Sequence, residues 1–140
     1  MVIVMKGIIG VLIFAEGVRD FLYRKISVSG IVSIAVLGLV LQVSIGEMNW
    51  ISVVGGIAVG GCLLLVSKIT DEAIGYGDGW IMAAMGVGLG FRENFLLMCI
   101  AFVLCAALSL LLLIFKKAGK KTVLPFVSFL FPAYILVCVT

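Results

Sequence analysis

The feature that most limits what this chain can fold into is the spacing of its charges, which leaves apolar stretches each close to the length of one membrane crossing. A hydrocarbon core about 30 Å thick takes about 20 helical residues. Stretches of roughly that size fall on residues 2–19, 28–45, 50–69, 79–91, 94–115 and 123–139. With 64% hydrophobic and 12% charged residues, there is too little polar side chain to cover a water-soluble globule. The expectation is an all-α integral membrane protein, a six-transmembrane-helix bundle forming a single domain over residues 1–140. The first stretch lacks a basic start and carries Lys6 inside it, so it reads as a mature helix and not as a secretory signal.

Orientation follows lysine and arginine, which collect on the cytoplasmic side of membrane proteins. Sorted by alternating loops, Arg19, Arg24, Lys25, Lys68, Lys116, Lys117, Lys120 and Lys121 fall on one side, and only Lys6 and Arg92 on the other. The first side is therefore the cytoplasmic one, and both termini face outward. The connections near residues 20–27, 70–78 and 116–122 are cytoplasmic, and those near 46–49 and 92–93 are short outer turns. The four lysines from Lys116 to Lys121 fit a role as topology determinants beside anionic lipid. The fourth span, at 1.5 Å per residue, reaches only about 20 Å. Its cytoplasmic start is therefore expected to be sunk below the membrane surface, in a glycine-rich segment surrounded by protein or a water-filled cavity.

The chain has no histidine. Ser-His-Asp and Cys-His nucleophile systems and His-ligated zinc are excluded, so any hydrolysis has to run on carboxylates. Cys62, Cys99, Cys105 and Cys138 lie in apolar runs without metal-ligand spacing and read as small buried hydrophobes. No metal and no cofactor is expected, and the modest surplus of positive charge gives nucleic-acid binding no support.

Seven carboxylates are available: Glu16, Asp20, Glu47, Asp71, Glu72, Asp78 and Glu93. Glu47 and Glu93 belong to outer turns and read as solvated. Taken alone, Asp20 reads as half of an i,i+4 pair with Arg24, and Asp78 as a cap on the fourth helix. Their combination changes this reading. The chain leaves the first span at Asp20 and enters the fourth at Asp78, which puts both acids at one depth on the cytoplasmic side. Two adjacent carboxylates cannot both ionise cheaply and so share a proton. Such a pair can take a proton from water while donating one to a peptide carbonyl. Gly75, Gly77 and Gly79 around Asp78 leave room for an extended substrate backbone. Glu16 lies one turn before Asp20 on the same face, where it tunes the pair or makes a polar contact inside the bundle. Asp71 and Glu72 could meet a basic substrate segment. Helix dipoles favour an anion at Asp78, beside a helix start, over one at Asp20, beside a helix end, which would make Asp78 the base and Asp20 the acid.

Asp20-Phe21-Leu22-Tyr23-Arg24-Lys25-Ile26 at the end of the first span and Gly75-Tyr76-Gly77-Asp78 in a later cytoplasmic segment resemble the two motifs of the type IV prepilin (leader) peptidases, membrane GxGD aspartic proteases. A third stretch, Leu124-Pro125-Phe126-Val127-Ser128-Phe129-Leu130, is similar to the Pro-Phe-containing last helix of that family. The sequence departs from the family pattern at Ser27-Val28-Ser29, where Pro-Asn often stands, at Trp80 in place of a lysine, and at Ser128 in place of a second proline. The tetracysteine zinc-binding insertion of larger relatives has no counterpart, so the resemblance is to the short, peptidase-only form. It implies a cell-membrane endopeptidase whose catalytic pair is Asp20 and Asp78, with Arg24 and Pro125 in the supporting motifs. Its implied partners are the lipid bilayer and a prepilin or pseudopilin carrying a basic leader before an apolar helix, cut at the cytoplasmic face.

Three other readings compete. A small proton- or cation-coupled transporter would explain Glu16. However, it calls for acids near the midplane and often for repeated halves, and neither is visible. An inactive assembly subunit would keep the fold without needing both aspartates. Presenilin-like GxGD proteases need more helices than 140 residues supply.

Overall fold

The computed structural model describes residues 1–46, 49–71, 75–115 and 125–140. Among the described residues there are five helices, α1 (Val2–Tyr23), α2 (Val28–Ile45), α3 (Trp50–Ile69), α4 (Tyr76–Ile114) and α5 (Phe126–Val139), and no strand. By length and apolar composition α2, α3 and α4 could each cross a membrane, which makes this an all-helical membrane protein. α1 is as long, but Lys6, Glu16, Arg19 and Asp20 interrupt its apolar character. α5 is a shorter apolar helix of 14 residues, with Pro132 inside it.

α2 and α3 have the bounds expected from the charge spacing. α1 runs on to Tyr23, so Asp20 lies inside its last turn. The helix stops where Arg24 turns left-handed (φ 51°) and donates its N–H to the Asp20 carbonyl. α3 starts on Asn49, whose side chain accepts from the N–H groups of Ile51 and Ser52.

The fourth and fifth expected spans are two helical arms of α4, and the turn between them lies two residues earlier than expected: Arg92 and Glu93 are already helical. The chain reverses at Gly90 instead (φ 76°, ψ −176°), a conformation open essentially only to glycine. A break in a helix frees backbone groups that need new partners in an apolar setting. Here Gln42 Nε2 donates to the Gly88 carbonyl at 2.9 Å, and the Phe91 N–H donates to Ser52 Oγ at 3.2 Å. Asn94 Nδ2 donates to the carbonyls of Gly56 (2.9 Å) and Met82 (3.0 Å). The contact with Met82 marks that the second arm of α4, 91–114, runs back along the first. The charges of Arg92 and Glu93 suggested a loop, whereas the turning residue is the glycine just before them.

The first arm lies against α3 and α2 with almost no side chain between. A Cβ on Gly38 would sit 2.8 Å from the Gly88 nitrogen, and one on Gly56 would run into the Gly86 carbonyl. Small residues at such seams let apolar helices approach closely enough for dispersion to hold them. Ile13, Ile34, Leu41, Met82, Leu97 and Leu130 fill the centre. The outward faces are lined by exposed Ile3, Val11, Val32, Val54 and Leu110, as expected of surfaces that meet lipid. The cysteines were expected to be buried, and none is. Cys62 and Cys138 are exposed, and Cys99 and Cys105 are intermediate, because in a bundle facing lipid an apolar run does not mark the interior.

Candidate active site

Asp20 enters the site from the last turn of α1 and Asp78 from the first turn of α4. Glycine at position 75 starts α4, so Asp78 is the third helical residue and not the cap itself. From there its carboxylate reaches back to the backbone amide of Gly75, the same reach-back that an acidic side chain makes in a capping box. The Asp78 N–H in turn bonds the Gly75 carbonyl at 3.1 Å. Asp78 is 7% exposed, and the Asp20 carboxylate acts on it electrostatically. The fold thus draws together two acids that stand 58 residues apart in sequence.

Asp20 is half-buried. The backbone amide of Val127, in the first turn of α5, lies against its carboxylate, and Arg24 contributes positive charge nearby. No Asp20–Arg24 ion pair forms among the described residues. Arg24 is exposed and stands in the left-handed turn that ends α1. α5 is held beside Asp20 by Ser128, whose Oγ donates to the Gly17 carbonyl at 2.9 Å, and the Phe102–Phe126 ring contact at 4.9 Å ties it to the second arm of α4. Pro125 stands immediately before this helix as its N-cap residue.

The remaining expected residues separate into two groups. Glu16 is buried and faces the bundle. Its Oε2 accepts the Ser27 N–H at 3.0 Å, and its Oε1 lies 3.7 Å from Arg19 Nη1. It therefore ties the start of α2 to α1 rather than touching the aspartates. Gly77 and Gly79 were read as space for a substrate. In the fold that space is taken by Ile26 beside Gly77 and by Leu64, 2.7 Å from a Cβ at Gly79. These glycines let the α1–α2 connection and α3 close around Asp78. Asp71 is exposed with φ 49°. Glu72, Glu47 and the lysines from Lys116 to Lys121 lie outside the described residues.

Two neighbours of the site were not anticipated. The Val127 amide carries no side-chain signature, although the Pro-Phe motif pointed to its helix. Cys105, on the second arm of α4, lies within electrostatic range of Asp78. Only the reversal at Gly90 brings it there. Among the described residues no group of three or more Cys, Asp and Glu side chains could hold a metal ion.

The apolar helices place the chain in the class of helical membrane proteins, with two carboxylates from separate helices within electrostatic range of each other. The particular family follows from comparison: the sequence profile described as the Type IV leader peptidase family matches residues 7–110, and the chain belongs to that family. The matched stretch contains Asp20, Arg24, Gly75, Gly77 and Asp78. Membership makes the chain a peptidase in general terms, with a prepilin-like substrate and a membrane setting. Comparison with curated proteins and with solved structures finds no match.

Proposed function

We propose that the chain is a membrane aspartic endopeptidase that removes the short basic leader of type IV prepilin-like proteins at the cytoplasmic face of the cell membrane. The observation that carries this reading is that Asp20, at the end of α1, and Asp78, at the start of α4, lie within electrostatic range of each other. The reading counts the two arms of α4 separately, giving one domain of six helical segments with both termini outside. Asp20 and Asp78 then lie just outside the apolar spans 2–19 and 79–91, at the cytoplasmic edge. The eight lysines and arginines assigned to that side support this orientation.

The mechanism requires one proton on the pair. The ionised carboxylate takes a proton from a water molecule as its oxygen attacks the scissile carbonyl, and the protonated carboxyl donates to the carbonyl oxygen. Collapse of the tetrahedral intermediate breaks the C–N bond, with the proton taken from water passing to the departing amine. We assign the base to Asp20 and the shared proton to Asp78, the reverse of what helix dipoles alone imply. The dipole is worth about 1 kcal/mol or less at an exposed helix end, whereas withdrawing a carboxylate from water costs several kcal/mol. Asp78 is the more deeply buried, and Asp20 has the Val127 amide and Arg24 beside it.

The test is co-expression in membranes with a tagged prepilin, following the size shift on leader removal for wild type, Asp20→Asn and Asp78→Asn at equal membrane abundance. Cleavage by wild type with a loss of about 10²- to 10⁴-fold in each variant is the expected result, the range typical for removing a general acid or base. Full cleavage by either variant sinks the two-aspartate mechanism. A well-folded wild type that cuts none of several prepilins returns the field to a transporter or an inactive assembly subunit.

A further inference from the structure

The two helices that carry the aspartates do not pack on each other: no Cα of α1 comes within 8 Å of a Cα of α4. The carboxylates reach towards each other across a gap, and its width is set by what spans it. The short connection 24–27 is tied back to α1 at both ends, because the Arg24 N–H donates to the Asp20 carbonyl at 2.9 Å and the Ser27 N–H donates to Glu16 Oε2 at 3.0 Å. Within it Arg24 and Lys25 are exposed, whereas Ile26 is half-buried. The Ile26 side chain lies along the backbone of Gly77: a Cβ there would stand 3.2 Å from Ile26 Cγ1 and 3.3 Å from Ile26 Cβ, with Cδ1 closer still. Leu64 of α3 lies in the same way on Gly79, its backbone nitrogen 3.0 Å from a Cβ at that position. Asp78 therefore stands between two glycines that each carry a neighbour's aliphatic side chain. The two contacts differ in what they report. Leu64 belongs to a helix that packs along α4, whereas Ile26 moves with the end of α1 and so with Asp20. A second route between the aspartates runs through α5, whose Val127 amide meets Asp20, but it returns to α4 on the second arm, at Phe102. The first turn of α4 is left to Ile26.

We propose that Ile26 is a positioning residue that sets the separation of Asp20 and Asp78; the proposal rests on the peptidase reading above. Two like charges hold a shared proton more tightly the closer they stand, and the titration steps belong to the pair. Catalysis is equally sensitive to spacing, since a misplacement of about 1 Å can cost about 10²-fold. Trimming Ile26 frees the first turn of α4 to shift against α1 without removing either carboxylate. The other charged and titratable groups around the pair are retained: Arg24 beside Asp20, the Glu16–Arg19 pair one turn before it, and Cys105 within electrostatic range of Asp78.

The test is prepilin cleavage across pH in proteoliposomes by wild type, Ile26→Ala, Ile26→Val and Leu37→Ala, with the melting temperature of each in detergent. Leu37, midway along α2, is likewise half-buried and packed against the core, and serves as the control. Ile26→Ala is expected to lower kcat by about 10²-fold while KM stays within about twofold. The alkaline flank of its pH profile should move down by about one unit, because a pair free to spread gives up its shared proton sooner. Ile26→Val should fall between Ile26→Ala and wild type, and it carries the comparison if Ile26→Ala does not fold. Leu37→Ala should lose melting temperature with kcat and the flank unchanged. Gly77→Ala should also cut poorly, and adding Ile26→Val, which removes the Cδ1 methyl in the way of the new one, should recover about tenfold. Cleavage by the Ile26 variants that falls only in step with their folded fraction, with the flank unmoved, overturns the proposal and leaves the peptidase reading intact. Absence of recovery in the double variant does the same. A wild type that cuts no prepilin overturns both.

Discussion

Glu16 accepts a hydrogen bond from the backbone N–H of Ser27 at 3.0 Å, so a buried acid one turn before Asp20 fixes where the next helix begins. The two roles open to Glu16 predict different mutants. As a brace, it needs only an acceptor at that point. Glu16→Gln should then keep nearly full cleavage, while Glu16→Ala loses about 1.5–3 kcal/mol of stability, the range for hydrogen bonds to charged groups. Thermal melting in detergent and the prepilin size shift read the two effects. Abolition of cleavage in a stable Glu16→Gln would place Glu16 among the reacting groups instead.

A pair that works with one proton has a two-sided pH profile. Acidification protonates the base as well, and alkalinisation strips the proton from the acid, so cleavage falls on both flanks of the maximum. Leader removal measured across pH in proteoliposomes checks this. A rate that climbs steadily with pH would speak for hydroxide attack without the pair.

Gly90→Ala should be among the most damaging single-methyl additions in the chain. Its backbone conformation resists any Cβ, and the added atom would collide with Ser52 Oγ, the group that accepts from Phe91. The strain alone is worth about 1–3 kcal/mol. Loss of folded protein, read by melting temperature or by protease resistance in detergent, is the expected result, whereas unchanged stability would contradict the reversal at this residue.

Asn94→Leu should be far milder although Asn94 is wholly buried. The change removes two donated bonds, but it also removes an Oδ1 that has no hydrogen-bond partner among the described residues. Interhelical hydrogen bonds in membranes average about 0.6 kcal/mol, so the net loss should stay below about 1.5 kcal/mol. A loss several times larger would mean that the amide holds the two arms of α4 together.

The bounds of α2 and α3 were legible because charges and turn residues sit at both ends of each. The approach of Asp20 to Asp78 was legible because topology alone brings the end of one helix to the start of another. The one-residue reversal was not, since hydropathy shows where polar residues lie and Gly90 is not polar. The function of Gly77 and Gly79 was misjudged for a related reason: absence of a side chain looks the same in sequence whether a substrate or Leu64 fills the gap. Cys105 was not singled out although a reversal near residues 92–93 was expected, because nothing in its residue type or its apolar run marks which face of the returning helix meets Asp78. The task of Glu16 depended on the position of a single backbone amide, that of Ser27, which no residue type announces.

The reversal at Gly90 also bears on how this protein can be handled. Where two helical arms are joined through one residue, there is no slack to accept an inserted epitope and no extended strand for a protease to grip. A reporter fused next to Arg92 would have to unwind helix on one side or the other before it could protrude, dragging Asn94 from its seat between Gly56 and Met82. Tags for mapping sidedness therefore belong at Gly46, where a left-handed glycine already ends α2 and a Cβ would meet open space.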